Sequence, residues 1–252
     1  MKKIIDRIFS DKYVNHGAVA GNIVLLLMYR FAYPFAALLN KLNLSPNQIT
    51  TQSLFFSILA FAALVFDEGW VWFSIFWGMT VLLDFCDGTV ARMANKVSKS
   101  AFRYDHMSDL FKISLVILGI GLHYNDALVW VLAFSASFVF MYGDVLNNTL
   151  GSIAKLAAKT QQATNSDEVS LPPNSRRRDR YRIVAWVVKR DWLLTIYKNT
   201  YAVLLTVNGH TLLLFFILPL GRGYALAGFS YLIFVELLAI KSRIATLVVM
   251  RR

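Results

Sequence analysis

"WVWFSIFWGMTVLLDFCDGTVARMANKVSKSAFRYDHMSD", residues Trp70 to Asp109, runs a strongly apolar stretch straight into a segment holding four aspartates. The pair Asp87-Gly88 is its lone turn signal. An ionised carboxylate inside a bilayer is costly, so acids entering the end of an apolar segment mark a functional site by default. Whether that segment crosses a membrane decides the fold, and the rest of the chain answers the question.

The 252 residues are 57% hydrophobic with a mean hydropathy of +0.51, too apolar for an ordinary soluble domain. Ile49–Phe66, Ala127–Gly143 and Asn199–Leu220 hold no charged residue over 18, 17 and 22 positions. Such segments can cross a hydrocarbon core about 30 Å thick. Trp70–Leu83, Ile113–Asn125 and Gly223–Val235 reach that length once a neighbouring polar turn is counted as helix. The expected fold is an all-α integral membrane protein with six transmembrane helices. Gly17–Asn40 is nearly long enough to be another, but Arg30 lies in its middle and Pro34 follows. An interfacial N-terminal helix fits it better, with a spanning helix as the alternative.

The gaps between spans alternate in charge. "DEG", "HYND" and "PLGRG" hold one basic residue between them, Arg222. The other side collects Lys2, Lys3, Arg7, Lys12, Arg92, Lys96, Lys99, Arg103, the basic stretch Lys155–Lys198, and Lys241, Arg243, Arg251 and Arg252. Cytoplasmic loops carry the Lys/Arg excess, so both termini and the acidic segment are expected on the cytosolic side. The net charge of +11 then reads as topology and attraction to membrane lipids, not as nucleic-acid binding. The first sixteen residues are polar and no A-x-A site follows, so no cleavable signal peptide is expected. The single cysteine, Cys86, excludes an intramolecular disulfide and a cysteine-based zinc cage.

Asp84 and Asp87, at i and i+3, share one helical face at the end of the second span. Asp105 and Asp109, at i and i+4, share a face on the opening turns of the third. A short connection makes these helices antiparallel neighbours, so the four carboxylates should converge. Such oxygen ligands suit hard cations, Mg²⁺ or Mn²⁺, which keep open positions for phosphate oxygens. Gly88 and Ala91 leave the same face bare for a ligand, and Arg92 adds donors suited to phosphate. The chemistry implied is metal-assisted phosphoryl transfer.

The spacing D-x2-D-G-x2-A-R-x8-G-x3-D-x3-D, with Ala101 at the second glycine, resembles the signature of the CDP-alcohol phosphotransferase family of phospholipid-synthesising membrane enzymes. Asp84, Asp87, Gly88, Ala91, Arg92, Asp105 and Asp109 occupy the other fixed positions. "SPNQIT" (Ser45–Thr50) is similar to the family's entry to its first span. The resemblance implies that Asp84, Asp87 and Asp105 bind two divalent ions holding a CDP-linked donor. Asp109 would be the general base on an acceptor hydroxyl, with a possible share in the metal. Gly88, Ala91, Arg92 and Ala101, with Pro46, Asn47 and Thr50, would serve the nucleotide, and CMP would leave. It also implies a homodimer, and residence in the inner membrane if the source is bacterial. The expected division is a cytosolic N-terminus with an interfacial helix (1–48), then a six-helix transmembrane catalytic domain (49–252) with a cytosolic loop at about 155–198.

CDP-diacylglycerol with a small alcohol or alcohol phosphate is the expected pairing. CDP-choline or CDP-ethanolamine with a lipid acceptor is the alternative, and a cation transporter is the alternative of another class. Other polar residues read as structural. His106 is a surface or packing residue, Asp144 and Glu236 bond at helix ends, with a share in shaping the acceptor pocket as the alternative, and Cys86 faces away from the acids as a small packing residue. His210 has no evident partner.

Overall fold

The computed structural model describes residues 9–10, 13–14, 22–67, 69–96, 99–164 and 209–250. Among them the chain is all-helical and without strands, and six helices are long and apolar enough to cross a membrane. In chain order the helices are α1 (Ile23–Lys41), α2 (Pro46–Val65), α3 (Trp70–Met93), α4 (Lys99–Tyr124), α5 (Ala127–Thr164), the short α6 (Gly209–Leu214) and α7 (Arg222–Met250).

Local chemistry sets the ends of these helices. α2 begins in a capping box: Gln48 N–H donates to Ser45 Oγ at 3.3 Å while Ser45 N–H donates to the Gln48 side chain at 2.8 Å. Pro46 follows at the first helical position, where its missing N–H costs nothing. α1 and α3 both stop on an asparagine in the left-handed region, Asn43 (φ 58°) and Asn95 (φ 51°). In each case the next N–H reaches back to close the last turn, Leu44 to Leu39 C=O at 3.2 Å and Lys96 to Ala91 C=O at 2.9 Å. The chain therefore reverses within a few residues after α1 and after α3, and Thr50 at the start of α2 meets Asp87 near the end of α3, so α2 and α3 are antiparallel.

α3 is the central helix, with Phe73, Trp77, Cys86 and Val90 fully buried. α2 turns its small face to it, and Ser53 Oγ donates to Thr80 C=O at 2.9 Å. α4 packs closely on α2 at Gly119, where a Cβ would meet Phe61 and Leu64 at 3.1 Å. Outward faces carry large apolar side chains such as Phe55, Ile58, Phe134 and Phe138, as a lipid-solvated bundle requires.

At the end of the bundle away from the aspartates, Asp126 accepts from Leu128 and Val129 N–H, both at 3.1 Å, and pairs with Arg222 at 3.2 Å. The Val129 N–H and then the Arg222 guanidinium hold its carboxyl below the usual carboxylate range.

α1 is of spanning length, the alternative the sequence left open, and little of it is fully buried. Two elements differ from the sequence expectation. The loop expected from about Lys155 is helical to Thr164, since "AKLAAKTQQA" is rich in strong helix formers. The span expected at Asn199–Leu220 lies outside the described residues up to 208. Its described part is helical only to Leu214, followed by turns and a 3₁₀ segment at Leu218–Leu220. Pro219 explains the break, because it donates no hydrogen bond and disfavours helix before it. The freed carbonyls are met by side chains: Trp77 Nε1 donates to Leu212 at 2.8 Å, Trp70 Nε1 to Phe216 at 2.7 Å and Tyr124 OH to Leu218 at 2.8 Å.

Candidate active site

The end of α3 and the start of α4 bring three aspartates together. Asp84, Asp105 and Asp109 each offer an oxygen within 4.8 Å of the others. Asp87 lies one turn after Asp84, is 4% exposed, and accepts from Thr50 Oγ1 at 2.7 Å. It is not among the three mutually close groups, but its carboxyl meets that of Asp105 directly. A set of carboxylate oxygens at this separation fits a hard divalent cation.

Lys112, one turn beyond Asp109, is the residue that sequence reasoning passed over. Its side chain is 3% exposed, and its ammonium lies 2.7 Å from Asp109 Oδ1, pairs with Asp84, and donates to Ser53 Oγ at 3.3 Å. A lysine at the mouth of an apolar run ordinarily reaches outward to water. Here the acids on two helices hold it inside. Its one sequence signal was the i, i+3 spacing from Asp109. Asp109 Oδ1 is buried and has no hydrogen bond of good geometry beyond that ion pair, whereas the side chain as a whole is 38% exposed. Oδ2 is thus the oxygen available to a ligand.

Gly88 and Arg92 differ from the bare face expected. The Arg92 guanidinium folds back over Gly88, and a Cβ there would meet its Nη1 at 3.3 Å. Arg92 Nη2 donates to Thr89 Oγ1 at 3.3 Å, Nε donates to Tyr13 C=O, and the group lies 5.4 Å from the Tyr29 ring centroid. Gly88 makes room for an arginine of the chain itself. Ala91 is half-buried on the same helix, and Pro46 and Asn47 lie in the first turn of α2. Ala101 lies on the first turn of α4, and its side chain falls outside the described residues. Cys86 is fully buried and donates to Ala32 C=O at 3.5 Å, in keeping with packing. The side chain of His210 is outside the described residues.

Beside the trio opens a cavity of about 260 Å³. Asp84, Asp109, His106 and Asp144 line its polar part, while Trp77, Ile113, Phe140 and Leu212 line an apolar part running along the bundle. His106, taken as structural from sequence, and Asp144, for which the acceptor pocket was the alternative, both line this cavity. His106 Nε2 lies 3.1 Å from Asp144, and Asn148 Nδ2 donates to Asp144 Oδ2 at 3.0 Å.

A helical membrane bundle with a carboxylate trio opening on a half-polar, half-apolar cavity has the attributes of an enzyme that handles a charged group on a lipid. Residues 43–163, which contain the whole signature, match the family model described as CDP-alcohol phosphatidyltransferase. Through that segment the chain is similar to the CDP-alcohol phosphatidyltransferase family, transferases of substituted phosphate groups. No curated protein matches the chain. That match favours a transferase, which takes a CDP-alcohol and an acceptor, over the transporter alternative.

Proposed function

We propose that the protein transfers a phosphatidyl group from CDP-diacylglycerol to the hydroxyl of a small alcohol, releasing CMP, in phospholipid synthesis. The observation that carries this reading is the trio of Asp84, Asp105 and Asp109 beside a cavity whose far part is apolar. That cavity suits a substrate with a charged head and a greasy body. The inverse pairing, CDP-choline or CDP-ethanolamine with a lipid acceptor, uses the same signature and is the second reading.

Asp84, Asp87 and Asp105 are assigned to hold two divalent ions, Mg²⁺ or Mn²⁺, with Asp109 as a further ligand. Such ions supply charge neutralisation on the bridging and leaving phosphate oxygens. Asp109 Oδ2 takes the proton of the acceptor hydroxyl, whose oxygen forms a bond to the lipid-bearing phosphorus. The bond from that phosphorus to the CMP oxygen breaks, and CMP leaves. Lys112 is a positioning residue, fixing Asp109 Oδ1 and Asp84 relative to each other. Gly88, Ala91, Arg92, Ala101, Pro46, Asn47 and Thr50 are assigned to the nucleotide side. Arg92 would exchange its bond to Tyr13 for a phosphate oxygen.

The Lys/Arg distribution supports a cytosolic active site and cytosolic termini. It also supports an interfacial α1 within residues 1–48. The middle of α1 meets the acidic end of α3, Ala32 against Cys86 and Tyr29 against Phe85. Its last turn joins α2 at that same end, as an interfacial helix would. A homodimer in the inner membrane of a bacterial source completes the reading. The deciding experiment gives purified protein CDP-diacylglycerol or CDP-choline with Mg²⁺ or Mn²⁺ and a set of acceptors. Metal-dependent CMP release with a new phospholipid establishes the reaction, and its absence from every pairing removes it.

A further inference from the structure

The cavity beside Asp109 has a wall that the aspartate signature does not contain. α5 supplies Phe140 and Asp144 to it, and α4 supplies His106, one turn before Asp109. Asp144 is 17% exposed, Asn148 donates to its Oδ2 at 3.0 Å, and His106 Nε2 stands 3.1 Å from it. A carboxylate offers about four lone-pair positions. Two neighbours engage Asp144, so it retains capacity to accept from a group in the cavity. Asp144 lines the same cavity as Asp109, the residue assigned to deprotonate the acceptor.

We propose that His106, Asp144 and Asn148 form the acceptor-selecting wall of the site. It takes an unphosphorylated alcohol bearing, besides the reacting hydroxyl, a second hydrogen-bond donor, either a hydroxyl or an ammonium. The inference rests on the transfer reading above and narrows its acceptor. Asp144 accepts from the second donor and so points the reacting hydroxyl at Asp109. The same carboxylate repels an acceptor phosphate, because like charges brought together in a partly desolvated cavity are strongly unfavourable. Diacylglycerol, whose one hydroxyl is the reacting one, leaves this wall unused.

The test uses the full-length protein in lipid nanodiscs with Mn²⁺ and measures CMP release together with the lipid product. With CDP-diacylglycerol the acceptors are glycerol, myo-inositol, serine, ethanolamine and sn-glycerol 3-phosphate; CDP-choline is paired with diacylglycerol. An unphosphorylated acceptor should be preferred, and whether it is a polyol or an amino alcohol identifies the second donor. Asp144→Asn keeps the side chain's shape and should raise the acceptor KM about ten- to a hundred-fold, the effect of losing a charged hydrogen-bond partner. The donor KM should stay unchanged. Asp144→Lys should shift preference toward sn-glycerol 3-phosphate. Wild-type preference for the phosphorylated acceptor or for diacylglycerol overturns the proposal, as does an unchanged acceptor KM in Asp144→Asn. No CMP release from any pairing removes the transfer reading, and this proposal with it.

Discussion

The Lys112 ammonium lies 2.7 Å from Asp109 on its own helix and pairs with Asp84 on the neighbouring one. One buried cation therefore ties the carboxylate assigned to the proton to one assigned to the metal. Removing one partner of a buried ion pair costs about 3–5 kcal/mol, because the remaining charge is left uncompensated. Lys112→Met should lower the melting temperature and abolish most turnover. It also leaves more negative charge for a divalent ion, so Mn²⁺ should bind more tightly and recover much of the lost stability. Melting curves with and without Mn²⁺ check both parts. Unchanged melting without metal would show that the ammonium does not hold the site together.

Asp84 and Asp109 are assigned different work, and paired measurements separate them. Asp84→Asn should abolish metal-dependent binding of the CDP donor and turnover together. Asp109→Asn should cut turnover by about 10²–10⁴-fold, the usual range for a general base, with a much smaller loss of donor affinity. Calorimetry with the donor and Mn²⁺ and CMP release with the acceptor give the two numbers. Near-normal turnover in Asp109→Asn would remove it as the base.

Thr50 places a hydroxyl 2.7 Å from the buried Asp87 carboxylate. Thr50→Val keeps the shape and takes away the donor, which should cost about 1–3 kcal/mol for an unsatisfied buried acceptor. Thr50→Ser should recover most of it. Thermal unfolding of the two variants against wild type measures the difference, and equal melting of valine and serine forms would contradict it.

The sidedness drawn from Lys and Arg is open to labelling, helped by the burial of the one native cysteine, Cys86. A cysteine within Ser170–Ser175 should resist impermeant thiol reagents in intact cells, while one at Asn125 should react. The reverse pattern would put the aspartates on the other face of the membrane.

The aspartates were readable because helical spacing alone sets which of them share a face, and two short-linked helices must pack side by side. The spacing could not tell that Asp87 would spend an oxygen on Thr50, since that depends on how closely α2 approaches α3. Lys112 was hidden for a related reason. A lysine beginning an apolar run has two possible directions, and only the packed acids of α3 select the inward one. Asp144 sits on α5, outside the motif, and becomes part of the site only through the packing of α5 on α4. The apolar blocks located most of the spans by composition, but the break after Leu214 depends on partners in α3 and α4 far away in sequence.

Those partners bear on where the protein will accept added sequence. Trp70, Trp77 and Tyr124 pin the backbone between Leu212 and Leu218 to α3 and α4, the two helices that end or begin in the aspartates. An epitope or fluorescent tag spliced in there would detach three carbonyls from their donors and loosen the floor of the cavity. The turn between α2 and α3 differs, because the Asp67 side chain is 82% exposed and nothing lies within 4 Å of where a Gly69 Cβ would stand. For reporter insertion, that turn is the position to use.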